Sequence, residues 1–423
     1  KIAKEYVFKK IMPKGKAYNN KRMRDVMSIL SITIENFLLA KELEESEMER
    51  ELLMLNVLRK RKQDKLFFQK VHQIQKKWEK DAPPGIERYL YEYLIQKAHY
   101  SHPNYVSVSE KKMSLHNLME KIDNYYLASK LYCTVNLLQT QNHLKPKDGN
   151  QPILFIEDIN KICNDNPFNK NPHINILNLF FHAYIQKDYS NYDYLKKLYV
   201  NNINAFNDSE KFDLLLILQH YCYINYQQGN EQSLKEVFNL YKFSIEQKIV
   251  IEDEMLAHDM FRSIVAIGCK VGEIAWTEQF IMNYQQYLPI NNRSDIVLLC
   301  EAIVIFCQQD FETCLSKLLT VKFQDTVYGI QVRALLMKCY YELNNYEEAF
   351  HNIAHSFSIF LHRNNAISDK LKELNLNFIQ FLKKLHKEKY EPSKKQENLV
   401  AVLEKYKIIR HKEWLIKKAI ELQ

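Results

Sequence analysis

The chain has 423 residues, a net charge of +8, 46% hydrophobic residues, and only 7 Gly and 10 Pro. That content supports a continuous core and argues against bulk disorder, while the scarcity of turn residues excludes a strand-and-hairpin architecture. The charge is local: residues 1–24 carry nine basic side chains against Glu5, so the remainder is neutral overall. The excess is therefore a property of one segment, and the protein is not basic throughout.

The first helix is expected from Asn19 or Asn20, either of which can cap it. Met23, Val26, Met27, Leu30, Ile34, Phe37 and Leu38 follow at spacings of three and four and predict one apolar stripe. An acidic stretch at 42–51 meets the basic run Arg59-Lys60-Arg61-Lys62, and a further helix should end near Lys80, before Asp81-Ala82-Pro83-Pro84-Gly85. A tyrosine-rich helix over 86–99, a break at 101–104 and a long helix over 109–141 come next. The segment 145–152, with two prolines and a glycine, reads as a linker.

Beyond it the pattern becomes regular. Asn207-Asp208-Ser209 caps a helix over 212–226, residues 227–230 turn, and Leu234, Val237, Phe238 and Tyr241 form the stripe of its partner. Successive hairpins reach Thr277, Cys314 and Ala349, 37 and 35 residues apart. A period in the mid-thirties, with a small residue three after a large one, belongs to stacked helix pairs. The small residue lets two helices approach and the large one fills the groove beside it. After Glu391-Pro392-Ser393 a single capping helix is expected over 398–422.

The expected architecture is all-α: a right-handed α-solenoid of tetratricopeptide-like hairpins. It is divided into an N-terminal helical region (1–144), the repeats (153–390) and a C-terminal cap (391–423). The runs Tyr226…Gly229…Leu234-Lys235-Glu236-Val237-Phe238-Asn239-Leu240-Tyr241, Gly272-Glu273-Ile274-Ala275-Trp276-Thr277-Glu278-Gln279-Phe280 and Glu413-Trp414-Leu415 resemble a family of helical-repeat proteins common in Bacteroidetes. Phe8-Lys9-Lys10-Ile11-Met12-Pro13 and Met23-Arg24-Asp25-Val26-Met27-Ser28 resemble it too. The resemblance implies an amphipathic helical region upstream of Lys1 and brings no activity, cofactor or site. Each hairpin resembles a degenerate tetratricopeptide repeat. The pattern departs at Thr277 and Cys314, where alanine is usual, and lacks the usual glycine in the first helices of the hairpins that end at Cys314 and Ala349.

Little chemistry is written in the chain. His351, His355 and His362 are the candidate metal ligands, with His351 and His355 at the i, i+4 spacing of a helical zinc site. Asn352 stands where the catalytic version has Glu, and the apolar face of that helix, Phe350, Ile353, Ala354, Phe357 and Leu361, turns the histidines to solvent. The seven glycines form no phosphate loop, paired acids lie on polar faces, and no serine sits in a nucleophile elbow. The eight cysteines stand singly in apolar runs without a Cys-x-x-Cys and read as buried thiols in a reducing, cytoplasmic setting. A helix break at 308–310 keeps Cys314 off the face of Cys300 and Cys307. No apolar run is long enough to span a membrane.

The expected function is therefore a non-enzymatic scaffold without cofactor, binding a protein or peptide on its concave face, with some of the 27 tyrosines (Tyr189, Tyr192, Tyr194, Tyr284 and Tyr287 among them) lining it. The alternative is a nucleic-acid binder. There Lys9, Lys10, Lys14, Lys16, Lys21, Arg22 and Arg24 contact phosphates, and Tyr6, Phe8 and Tyr18 stack on bases. A winged helix over 18–37 is weaker, since no strands flank it.

Overall fold

Helices in this chain start where a side chain accepts an otherwise unpaired amide. Asn19 accepts from Arg22, Asp310 from Thr313, Ser368 from Leu371 and Asn398 from Ala401. Several stop at a left-handed residue, among them Lys62, Lys248, Gly272 and Gln309. The computed structural model describes residues 4–11, 17–81, 84–104, 108–143, 155–165, 171–186, 192–227, 229–321, 326–343, 346–365, 367–391, 398–406 and 408–422. The linker expected at 145–152 lies outside them. The chain forms two compact units, Lys1–Leu214 and Leu215–Gln423.

The first unit holds α1 (Lys4–Ile11), α2 (Asn20–Glu45), α3 (Glu47–Lys60), α4 (Asp64–Lys80), α5 (Ile86–Tyr100), α6 (Val108–His143), α7 (Ile156–Asp165), α8 (Pro172–Gln186), α9 (Tyr192–Asn201) and the start of α10 (Asp208–Gln227). Helices α3, α4 and α5 close around Leu55, Phe67, Val71, Ile74, Trp78 and Ile95. Helix α6 packs on both α5 and α8.

Asn207 and Glu210 make a reciprocal capping box, with the Glu210 amide donating to Asn207 Oδ1 and the Asn207 amide to Glu210 Oε2. The second oxygen of Glu210 accepts the first amide of α5, from Ile86. Gly85 precedes it at φ +88°, where a Cβ would fall 2.7 Å from the side-chain nitrogen Nδ2 of Asn207. Only glycine fits there.

Helix α2 departs from expectation. Of its apolar stripe only Met23 is buried, while Met27, Leu30, Ile34, Phe37 and Leu38 stand in solvent, as do Ile29, Ile32 and Leu39 on the far side. Its chain neighbour α3 does not cover that stripe. Periodicity identified the apolar face, but among the described residues nothing buries it.

The second unit continues with α11 (Gln232–Glu246), α12 (His258–Lys270), α13 (Ile274–Tyr284), α14 (Arg293–Cys307), α15 (Phe311–Leu319), α16 (Thr326–Glu342), α17 (Glu347–Arg363), α18 (Asp369–Tyr390), α19 (Leu399–Glu404) and α20 (Lys412–Glu421). Each helix packs mostly on its sequence neighbours, and α12, α14 and α16 also touch one another in turn. Between α11 and α12 lies the one strand pair among the described residues, β1 (Ile251–Glu252) with β2 (Met255–Leu256). It turns on Asp253 and Glu254, both at positive φ. That is the twist a two-residue hairpin requires.

Two of the three small residues hold the assigned close-contact position. Thr277 and Cys314 are fully buried. A Cβ on Gly268 of α12 would lie 2.2 Å from Thr277 Oγ1 in α13, and the Cys314 thiol donates to the Ala302 carbonyl at 3.2 Å. Ala349 is only half-buried, and the sealed small residue of α17 is Ala354. The contact in this pair has moved along the helix by about one turn.

The expected terminal helix is broken in two. Between α19 and α20, Arg410 N–H donates to Leu374 O, Arg410 Nη1 to Asn375 Oδ1, and Asn377 Nδ2 to Ile408 O. His411 turns the chain at φ +54°. Polar groups of α18 thus interrupt a pattern that contains no Gly or Pro. Helix α20 then lies back across the C-terminal ends of earlier helices. Glu413 pairs with Lys270 at 2.7 Å and accepts from Tyr226 Oη at 2.7 Å, and Lys418 pairs with Glu342 at 2.8 Å.

Candidate functional site

The packing of α14 on both α12 and α16 brings side chains from distant points of the chain close together. Cys269 ends α12, Cys307 ends α14, and Lys338 lies in the last half of α16. Helices α12 and α14 pack on each other, and Cys269 and Cys307 both lie in their last turns. Lys338 is 7% exposed, and its ammonium sits over two rings, 4.2 Å from Phe306 and 4.8 Å from Trp414 of α20. Among the described residues no carboxylate comes within ion-pair distance of it. The ring faces supply the cation's partner instead.

The electrostatics follow from this packing. Burial lowers Lys338 to about 8. The neighbouring Cys269 thiol, with the smaller effect of the Lys338 charge, outweighs burial and lowers the Cys307 thiol. Cys269, beside Cys307 and itself buried, is raised. Burial pushes Cys300 up, and a second thiol pair, Cys314 and Cys339, lies with its sulfurs 3.4 Å apart, fully enclosed.

The expectation of isolated buried thiols is thereby corrected: Cys133 and Cys307 are exposed, and two of the seven described cysteines, Cys314 and Cys339, are paired. The missed signal was spacing. Cys269 and Cys307 are 38 residues apart, and both fall in the last turns of helices that pack on each other, α12 and α14.

Of the expected basic set, Lys10, Lys21, Arg22 and Arg24 are exposed. Lys14 and Lys16 lie outside the described residues, as does the side chain of Lys9. Phe8 is buried edge-on against the half-buried Tyr18 at 5.3 Å, which removes Phe8 from base stacking, whereas Tyr6 is exposed with Lys10 over its ring. His351, His355 and His362 are exposed on α17, opposite the buried Phe350, Ala354, Phe357 and Leu361. No group of three or more metal-ligating side chains converges among the described residues.

Two open cavities lie in the first unit. One, of about 490 Å³, is lined by Tyr93, Ile122, Tyr125, Tyr126 and Lys130 between α5 and α6. The other, of about 390 Å³, holds His99 and Ser114, with Ser114 Oγ 3.3 Å from His99 Nδ1. Gln96 donates to that hydroxyl at 3.0 Å. Ser114 lies inside a helix, where backbone amides are consumed by the helix itself and form no oxyanion hole. Of the expected tyrosines, Tyr194 is exposed, Tyr284 stacks between Phe280 and Tyr287, and Tyr189 lies outside the described residues.

Scans against protein-family models and searches of curated proteins and of solved structures give no match to this chain. No family is identified, and the resemblance drawn from the sequence stands on its residues alone. What the structure shows is a largely helical protein with sequential helix–helix packing, in which no described helix is long and apolar enough to cross a membrane.

Proposed function

We propose that this chain is a non-enzymatic scaffold of tetratricopeptide-like hairpins, wound as a right-handed solenoid in a reducing compartment, that binds a protein or peptide along its concave face. The observation that carries this reading is the packing of α12, α14 and α16 on one another, each with its own partner helix. Such a ladder presents a row of equivalent side chains to an extended ligand, and recognition needs shape and a few anchors without bond chemistry.

The test is a peptide selected from a displayed random library against the whole protein, followed by hydrogen exchange of the complex. Protection confined to α12, α14 and α16 supports the scaffold reading. Protection of the tyrosine-lined cavity instead would move the binding surface to α5 and α6. Failure to select any peptide that binds reproducibly would overturn the proposal.

Exposed Lys10, Lys21, Arg22 and Arg24 favour a second reading, a nucleic-acid contact. Affinity for RNA or DNA should then fall steeply with salt, because each phosphate contact releases counterions. Changing Lys9, Lys10, Lys14 and Lys16 to Glu should abolish it. A chain that shifts neither nucleic acid at low salt ends that reading.

A further inference from the structure

Helix α2 carries its charges against its own dipole. Its first turn holds Lys21 and Arg22 with no acid, and its last turn holds Glu42, Glu44 and Glu45 with no base. A lone helix is stabilised by the reverse order, acids at the start and bases at the end. We propose that α2 pairs with α2 of a second copy of this chain, the two helices running antiparallel about a two-fold axis near residue 32. The proposal does not rest on the scaffold reading.

The apolar residues supply the seam. From the buried Met23 they continue as Met27, Leu30, Ile34 and Phe37, at alternating spacings of four and three. That repeat averages 3.5 residues and is the one that keeps two helices in contact along a line. The last four residues are 44–66% exposed. Contiguous apolar strips of this kind mark a surface that meets another molecule. Ile29, Ile32 and Leu39 lie on the opposite side of α2 and take no part.

The charges choose the occupant. Residues 20–25 hold three bases and one acid, and residues 41–45 hold one base and three acids. All nine of the polar and charged side chains at these two ends, Asn20 included, are exposed. A basic start, an apolar middle and an acidic end make a surface complementary to itself, which is what a two-fold axis requires. Placing Leu30 against Ile34 of the second copy, and Met27 against its Phe37, sets Arg22 level with Glu42 across the pair. Lys41 already reaches Glu45 at 3.7 Å within the helix, so Glu42 and Glu44 are the acids that meet the incoming bases. Each helix start then lies beside the other's end, and charges and dipoles are matched together. A parallel pair would set base against base and acid against acid, which disfavours it. This pairing competes with the nucleic-acid reading for Lys21, Arg22 and Arg24.

Sedimentation equilibrium of the whole protein at low salt, over a dilution series, tests the proposal. The mass should approach twice that of the monomer and fall on dilution. Leu30→Glu combined with Phe37→Glu should give a monomer throughout. Two charge variants separate the antiparallel pair from other associations. One carries Lys21→Glu, Arg22→Glu and Arg24→Glu; the other carries Glu42→Lys, Glu44→Lys and Glu45→Lys. Each should be monomeric alone, and an equimolar mixture should restore the dimer. Both bring α2 into agreement with its dipole, so loss of pairing cannot be put down to a weakened helix, and circular dichroism should show helix content retained.

Three results would each overturn the proposal. They are a chain that stays monomeric up to its solubility limit, a dimer that survives Leu30→Glu with Phe37→Glu, and charge variants that remain dimeric alone. A monomer that floats with phosphatidylserine vesicles would overturn it as well, and would assign the apolar strip to a lipid surface.

Discussion

Gly268→Ala is the sharpest probe of the helix-pair packing. The new methyl would sit 2.2 Å from Thr277 Oγ1 and 3.4 Å from both Thr277 Cβ and the Phe238 ring. Only the hydroxyl is in conflict, and it is fixed by its own bond to the Glu273 carbonyl at 2.7 Å. Replacing glycine within a helix gains about 1 kcal/mol. Forcing a methyl into a filled contact costs about 1–3 kcal/mol, and this clash belongs at the upper end. The single variant should therefore lose about 1–2 kcal/mol net. Thr277→Ala removes the conflicting atom. In the double variant the helix gain should reappear, giving a coupling energy of about 2 kcal/mol. Urea unfolding of the four proteins, followed by far-ultraviolet circular dichroism and by fluorescence near Trp276, measures it. Effects that simply add, within about 0.5 kcal/mol, would show that α12 and α13 do not meet at this point.

Three further outcomes are expected. Ala354→Trp should destabilise by about 1–3 kcal/mol or more, and Ala349→Trp by clearly less, because only Ala354 is sealed; urea midpoints decide between them. Glu210→Gln should cost about 1–3 kcal/mol, since an amide cannot accept from Ile86, Asn207 and His173 as a carboxylate does; faster exchange of the Ile86 amide would report it. Burial lowers His386 in the folded chain, so the unfolded chain takes up protons first. Stability is then full above about pH 6.5 and falls as pH drops below it. His386→Phe, which keeps a ring against Phe350, should flatten the dependence of the urea midpoint on pH in that window.

Local instructions were legible because they are short-range. Asn207 and Glu210, three apart, announce a capping box, and Gly85 after two prolines announces a stop. The stripe of α2 was legible as a pattern, but a pattern names a face and says nothing of what covers it. The break before α20 was hidden because no residue of 405–411 forbids a helix; Asn375, Asn377 and the Leu374 carbonyl impose it from another helix. Cys269, Cys307 and Lys338 escaped notice for the same reason. Each is ordinary in its own turn, and only stacking makes them neighbours. Ala349 shows the limit of a repeat read by identity alone: the small residue is present, but the contact uses Ala354.

The return of α20 onto Tyr226, Lys270 and Lys338 changes how the second unit can be made. A stack in which each repeat meets only its neighbours can grow from one end and fray from the other. Here the helix that covers Lys338 and pairs with Lys270 is encoded about 140 residues after Lys270. At a synthesis rate of about 5–20 residues per second, that leaves an interval on the order of ten seconds on the ribosome before it can dock. During that time the C-terminal ends of α12 and α16 lack their cover, Lys338 lacks the Trp414 ring and Lys270 lacks Glu413. Once α20 has docked, its contacts tie the C-terminal ends of α10, α12 and α16 to one another, so that α20 must leave before any of these ends can open alone.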